Sequence, residues 1–158
     1  MPSECERRFR VTDLSVIEGC RPIRIVQGYL SEKGKTTRVR IADGKDAFLT
    51  IKGKRKGKCT KKEYEYRIPL EDAREMLENE CGDRIIYKTR YLVPQGPFTF
   101  EVDIFEGAYE GLVIAEVELS HERVALPIPH WIGKELTGKR RYSNRSLACA
   151  HPKLRLVA

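Results

Sequence analysis

Like charges recur two residues apart along most of this chain. Glu4, Glu6 and Arg8 open it, and Arg38 with Arg40, Lys52, Glu63 with Glu65, Lys88 with Arg90, Glu101 with Asp103, and Glu116 with Glu118 follow. Alternate side chains of an extended strand share a face, so each set projects to one side of its strand. For a single strand, an ionic face in water over an oily core accounts for such a pattern. Its recurrence on strand after strand does not fit so well, because solvent-facing positions ordinarily draw on Thr, Ser and Gln, and here acids and bases are segregated strand by strand. Binding a polyphosphate with a divalent cation needs both signs at close quarters. Arg and Lys neutralise phosphoryl oxygens, while clustered carboxylates hold Mg²⁺ or Mn²⁺, which take oxygen ligands.

The elements that must position these groups are mostly strands. Period-2 alternation predicts eight of them, at about 3 to 10, 24 to 31, 36 to 42, 46 to 52, 61 to 68, 84 to 92, 98 to 105 and 113 to 120. Short links such as Asp43-Gly44 and Pro94-Gln95-Gly96-Pro97 favour antiparallel hairpins. One helix is expected from about Glu71 to Glu80, where Ala73, Met76 and Leu77 recur at helical spacing and Gly82 follows. Short helices are also expected after Ser120 and through Ser146 to Ala150. Eight strands can close around a lumen for one small ligand. The fold expected is therefore mainly β (α+β): a closed, eight-stranded antiparallel barrel with an ionic interior, an apolar exterior and a few packing helices.

The 158 residues, 41% hydrophobic and 34% charged, suit one domain over 1–158. No apolar run approaches the roughly 18 residues of a membrane span, and the charged start, MPSECERRFRV, lacks the apolar stretch of a signal peptide. Cys5, Cys20, Cys59, Cys81 and Cys149 form no C-x-x-C pair, so a reduced, cytoplasmic protein without disulfides or a zinc knuckle is expected. The net charge of +7 by itself points to an anionic partner, nucleic acid included. Eight alternating carboxylates would repel a nucleic-acid backbone, however, and much of the basic excess lies elsewhere, in Lys54 to Lys62 and Lys139 to Arg155. Beyond Lys52, the basic run to Lys62 reads as a solvated hairpin loop; its glycine spacing and Cys59 do not make a phosphate-binding P-loop.

In order, the pairs resemble those of the CYTH superfamily of triphosphate tunnel metalloenzymes, its short bacterial members above all. The opening E-x-E-x-K motif corresponds to Glu4-Cys5-Glu6-Arg7-Arg8. R-x-R corresponds to Arg38-Val39-Arg40, the next lysine to Lys52, and K-x-R to Lys88-Thr89-Arg90. E-x-D corresponds to Glu101-Val102-Asp103 and E-x-E to Glu116-Val117-Glu118, while GKRRYSNRSL at 138–147 resembles the closing basic-Tyr-x-Asn element. The resemblance implies metal-dependent hydrolysis of a triphosphate, inorganic triphosphate first. Thiamine triphosphatase, adenylyl cyclase and a non-catalytic polyphosphate- or nucleic-acid-binding barrel are the alternatives. It implies substrate binding by Arg8, Arg38, Arg40, Lys52, Arg90 and Arg140, and catalysis by Lys88 with Tyr29. It implies Mg²⁺ or Mn²⁺ held by Glu4, Glu6, Glu116, Glu118 and Asp103; Asp103, Glu63, Glu65 and Glu101 also suit structural ion pairs with the basic strands. A homodimer is expected, with Ile128, Trp131 and Ile132 either at its interface or covering the barrel. Arg8 stands where the family has Lys, and Lys139 where an acid is common; a planar fork in place of a point charge would alter how phosphate is gripped.

Overall fold

The computed structural model describes residues 3–31 and 33–150. Nine strands run through it: β1 (Ser3–Val11), β2 (Pro22–Tyr29), β3 (Thr36–Ala42), β4 (Asp46–Lys56), β5 (Thr60–Arg67), β6 (Ile85–Gln95), β7 (Phe98–Phe105), β8 (Val113–Leu119) and β9 (Ile132–Glu135), with helices α1 (Leu70–Asn79) and α2 (Asn144–Cys149). The first eight strands and both helices lie where alternation and helical spacing place them. All pairings are antiparallel, and the ring runs β1-β5-β4-β3-β2-β6-β7-β8 and back to β1.

Closure is short at one seam. β1 pairs β5 only through Ser3–Lys62, Glu4–Lys61 and Cys5–Thr60, and farther along the same edge it meets β9 at Phe9–Glu135 and Val11–Ile132. A Cys5–Cys59 disulfide crosses the seam. This corrects the expectation of five free thiols: the barrel brings together two cysteines that sequence distance separates. Cys20, Cys81 and Cys149 are free.

Two further expectations are corrected. The stretch beyond Lys52 is less a loop than the extended end of the β4–β5 hairpin, in which Arg55 pairs with Lys61 and Lys56 with Thr60 beyond a register shift and only 57–59 turn. Its tip is held by Glu122, whose carboxylate accepts from the Lys58 and Cys59 amides at 2.7 and 3.1 Å. Gly57 turns there at φ +71°, and a Cβ on it would strike that carboxylate. No helix follows Ser120; residues 120–131 are irregular, because Pro127 and Pro129 withhold the amides a helix needs.

The parity reading holds outside the barrel. On one flank the outward Phe9, Phe100, Val102 and Val117 pack beneath Trp131 and Ile132, the Trp131 ring standing edge-on to Phe100 at 5.0 Å. Trp131 and Ile132 thus cover the barrel, while Ile128 is half exposed. On another flank α1 lays Ala73 and Leu77 on Val39, Ile41 and Ala47. It approaches so closely that a Cβ at Gly28 would lie 2.7 Å from Cys81 Sγ and 2.8 Å from Leu77 Cδ2. The inside is not ionic throughout. At one end, the inward positions of β2, β6, β7 and β8 are Tyr29, Ile86, Phe105 and Ile114, and Leu136, Tyr142 and Leu147 pack onto them as a plug built around α2.

Candidate active site

Above the plug the inward faces surround a cavity of about 1250 Å³. Every residue selected from sequence for a site role lines it except Asp103, with Arg140 and Glu118 among its exposed wall residues. A smaller groove of about 470 Å³, bordered by Arg24, Asp43 and Arg74, lies outside the barrel and holds none of those residues.

The six inward bases are each less than one-fifth exposed, from 1% for Lys88 to 18% for Lys52, and each has an acid beside it. Charges so far from water persist only when paired or hydrogen-bonded. The pairing follows strand register. Arg90 lies opposite Asp103 and Lys52 opposite Glu63, so neighbouring strands of opposite sign supply each other's counter-charges.

Asp103 is the most enclosed of the acids. Its Oδ1 accepts from Arg90 Nε at 2.8 Å, and its Oδ2 from Lys88 Nζ at 2.7 Å and Arg90 NH2 at 3.0 Å. Both oxygens are thus committed behind the cavity wall, and the two cations hold its carboxyl below the usual range against burial. Arg90 also donates to Glu101 at 2.7 Å. Burial drives the Lys88 ammonium down to about 8, and Asp103 opposes that shift. Lys88 donates as well to Asn144 Oδ1 at 2.9 Å, and Asn144 Nδ2 donates to Glu116 at 3.3 Å. The plug therefore reaches the lysine directly.

On the opposite wall Glu65 accepts from Arg38, Arg40 and Thr50 at 3.3, 3.5 and 2.9 Å. Partial burial, with Arg38 and Arg90 nearby, lowers the Arg40 pKa against the pull of Glu65 and Glu101. Lys52 lies between Glu4 at 3.3 Å and Glu63 at 3.4 Å. Burial works against its charge, but Glu6, Glu4 and Glu63 outweigh it and raise the pKa. Arg8 lies 3.6 Å from both Glu6 and Glu116. Tyr29 Oη accepts from Gln27 Nε2 at 3.0 Å, and burial raises its pKa.

The acidic side suits a divalent cation. Burial and a carboxyl contact with Glu63 raise the Glu4 pKa, and burial with Glu4 and Glu101 nearby raises that of Glu118. Carboxyls that repel one another in this way gain from a cation between them. Among the described residues no three His, Cys, Asp or Glu side chains converge as a cage.

Several partners carry no sequence signal of their own. Thr50 and Gln27 are isolated polar residues on strands; Asn144 belongs to the closing basic-Tyr-x-Asn element, which marks it without revealing its contact with Lys88. The rim adds Lys33, Lys35, Lys54, Arg55, Lys61 and Lys139. Arg155, at the end of the basic C-terminal stretch, lies outside the described residues.

Comparison with known proteins agrees with this geometry. The chain is 42% identical to an inorganic triphosphatase of Acetivibrio thermocellus over 148 residues, 93% of this chain and 94% of that protein. It is 34% identical to one of Nitrosomonas europaea over 155 residues, 95% and 99% of the two chains. A crystal structure of the inorganic triphosphatase NE1496 superposes with a TM-score of 0.69 at 32% identity, covering 96% of this chain and 98% of that one. A conserved hypothetical protein of Pyrococcus furiosus shares the fold, with a TM-score of 0.56 at 21% identity over 76% of this chain and 80% of that one. The CYTH domain profile matches residues 3–147, nearly the whole closed barrel and its plug, and the chain belongs to the CYTH domain family.

Proposed function

We propose that this protein hydrolyses inorganic triphosphate to pyrophosphate and phosphate inside the barrel, with Mg²⁺ or Mn²⁺. The observation that carries the reading is the wall of six acid-paired bases, each less than one-fifth exposed, facing one cavity closed by α2. Its two curated relatives, both inorganic triphosphatases, support the choice of substrate. A barrel plugged at one end suits a short anion rather than a threaded nucleic acid.

In this reading Arg8, Arg38, Arg40, Lys52 and Arg90 grip the phosphoryl oxygens, with Arg140 at the mouth. The paired acids hold these bases in place before substrate arrives, so little reorganisation remains for the reaction itself. Glu4, Glu6, Glu116 and Glu118 would hold the metal, which when bound neutralises phosphoryl charge and acidifies water. We assign Asp103 to positioning Lys88 and Arg90 rather than to the metal, because its two oxygens already accept from those cations. Lys88, with a pKa near 8, can take a proton at Nζ from the attacking water. Tyr29 shapes the apolar floor beside it. A homodimer completes the proposal; half-exposed Tyr66 and Tyr87 on the outer strand faces offer surface for a second copy.

The test is phosphate release from inorganic triphosphate, thiamine triphosphate, ATP and a long polyphosphate, each with Mg²⁺ and with Mn²⁺. Inorganic triphosphate is expected to have the highest kcat/KM. Preference for thiamine triphosphate or ATP would overturn the substrate assignment.

A further inference from the structure

We propose that Arg145 is an additional triphosphate-binding residue, carried into the cavity by the plug helix rather than by a strand. This rests on the triphosphatase reading for the identity of the anion. The six inward bases of the strands each have an acid beside them, but Arg145, also in the cavity wall, has no carboxylate of the described residues within ion-pair reach. Its NH1 donates to Gly34 O at 2.9 Å and Thr36 Oγ1 at 3.2 Å, while its Nε and NH2 are buried with no hydrogen-bond partner among the described residues. The NH1 bonds alone suffice to tether the β2–β3 connection. Nothing in a tether requires the opposite edge of the guanidinium to be left open.

That edge is the chemically informative one. Nε–H and NH2 point the same way and form the fork that matches two oxygens of one phosphoryl group. Arg145 is only partly buried, but the edge carrying Nε and NH2 is buried with two unmade hydrogen bonds and no counter-charge among the described residues, which is costly to keep, and an anion arriving in the cavity supplies both. The location fits. Thr36 pairs with Lys52 across β3–β4 and shares the inward face of Arg38 and Arg40, so Arg145 adds its charge to the basic wall. Its neighbour Asn144 holds Lys88. One short helix thus contributes to both the gripping and the reacting sides of the site.

Binding is measured by calorimetry with inorganic triphosphate in EDTA, where no metal-dependent turnover occurs, for wild type, Arg145→Gln, Arg145→Lys and Arg145→Ala. Ligand-free melting temperature is recorded for each, and KM and kcat are measured with Mg²⁺. Glutamine retains a donor for Gly34 but not the charged fork. Its affinity should fall about 10- to 100-fold, the range for losing charge-assisted hydrogen bonds. KM should rise in parallel, with kcat and ligand-free melting little changed and partial recovery in Arg145→Lys. Wild-type affinity in both Arg145→Gln and Arg145→Ala would overturn the proposal. So would losses of affinity that only track losses of ligand-free stability, which would make Arg145 a tether. Wild type that binds triphosphate without releasing phosphate would refute the hydrolytic reading alone, and the binding comparison would still decide Arg145.

Discussion

Asp103→Asn separates a positioning role from a metal-binding one. The side chain keeps its shape, but one acceptor becomes an amide donor facing Lys88 Nζ or Arg90, now 2.7 to 3.0 Å away, and the buried cations lose their shared charge. Breaking a buried ion pair by removing one partner costs about 3–5 kcal/mol. At about 2–4 °C per kcal/mol for a chain of this size, the melting midpoint should fall by roughly 6–20 °C. The pH profile should move as well. Asp103 opposes the burial that lowers the Lys88 pKa, so without it the limb attributed to Lys88 shifts to more acid pH. The metal concentration for half-maximal activity should stay unchanged. Thermal denaturation by circular dichroism, a pH–rate profile and a Mg²⁺ titration make up the assay. A midpoint within about 2 °C of wild type, or an unmoved pH limb accompanied by a large change in metal requirement, would refute the positioning assignment.

In wild type, if neutral Lys88 is the base, kcat/KM should rise with pH and level off above about 8, and Lys88→Arg, which keeps its charge, should lack that limb. A rate falling as pH rises through this value would refute the role. The Cys5–Cys59 bridge spans 54 residues, for which loop-closure entropy gives about 4 kcal/mol. Dithiothreitol should therefore lower the melting temperature of wild type but leave Cys59→Ser, already lowered, where it is; equal melting with and without reductant in wild type would count against the bridge. Trp131→Ala, which empties the site against Phe100, should cost about 3–5 kcal/mol in urea denaturation with KM for triphosphate unchanged. A shifted KM would show that the cover communicates with the cavity.

The barrel is legible in sequence because its two faces differ so sharply in chemistry. Charges at Arg38, Arg40, Lys88 and Arg90 alternate with Val39, Ile41, Thr89 and Tyr91, and a period of two leaves one way to fold such strands around an ionic lumen. α1 is legible for the same reason at a period of 3.6. β9 is too short for any period to show. The seam is invisible because only ring closure brings β1 against β5, and with it Cys5 to Cys59. The β4–β5 extension is masked by its own charge: Lys54, Arg55 and Lys56 read as solvated, yet cross-strand pairing and Glu122 hold them in a hairpin. The site splits likewise. Charged residues are conspicuous at alternate positions, but Thr50 gains meaning only from Arg38 and Glu65 beside it, and Asn144, though marked by its motif, only in the fold shows its contact with Lys88. Asp103, chosen with the acids, proves to be enclosed by Lys88 and Arg90 because its strand lies next to theirs.

If triphosphate is hydrolysed in this cavity by these charges, turnover must depend on both the metal and the lining acids and bases. The most direct measurement is phosphate release from inorganic triphosphate with Mg²⁺ or Mn²⁺, and with EDTA, for wild type, Glu6→Ala and Lys88→Ala. Wild type should turn over with metal and not with EDTA, and both variants should lose about 100-fold or more. Wild-type turnover in both variants would place the chemistry somewhere other than this barrel.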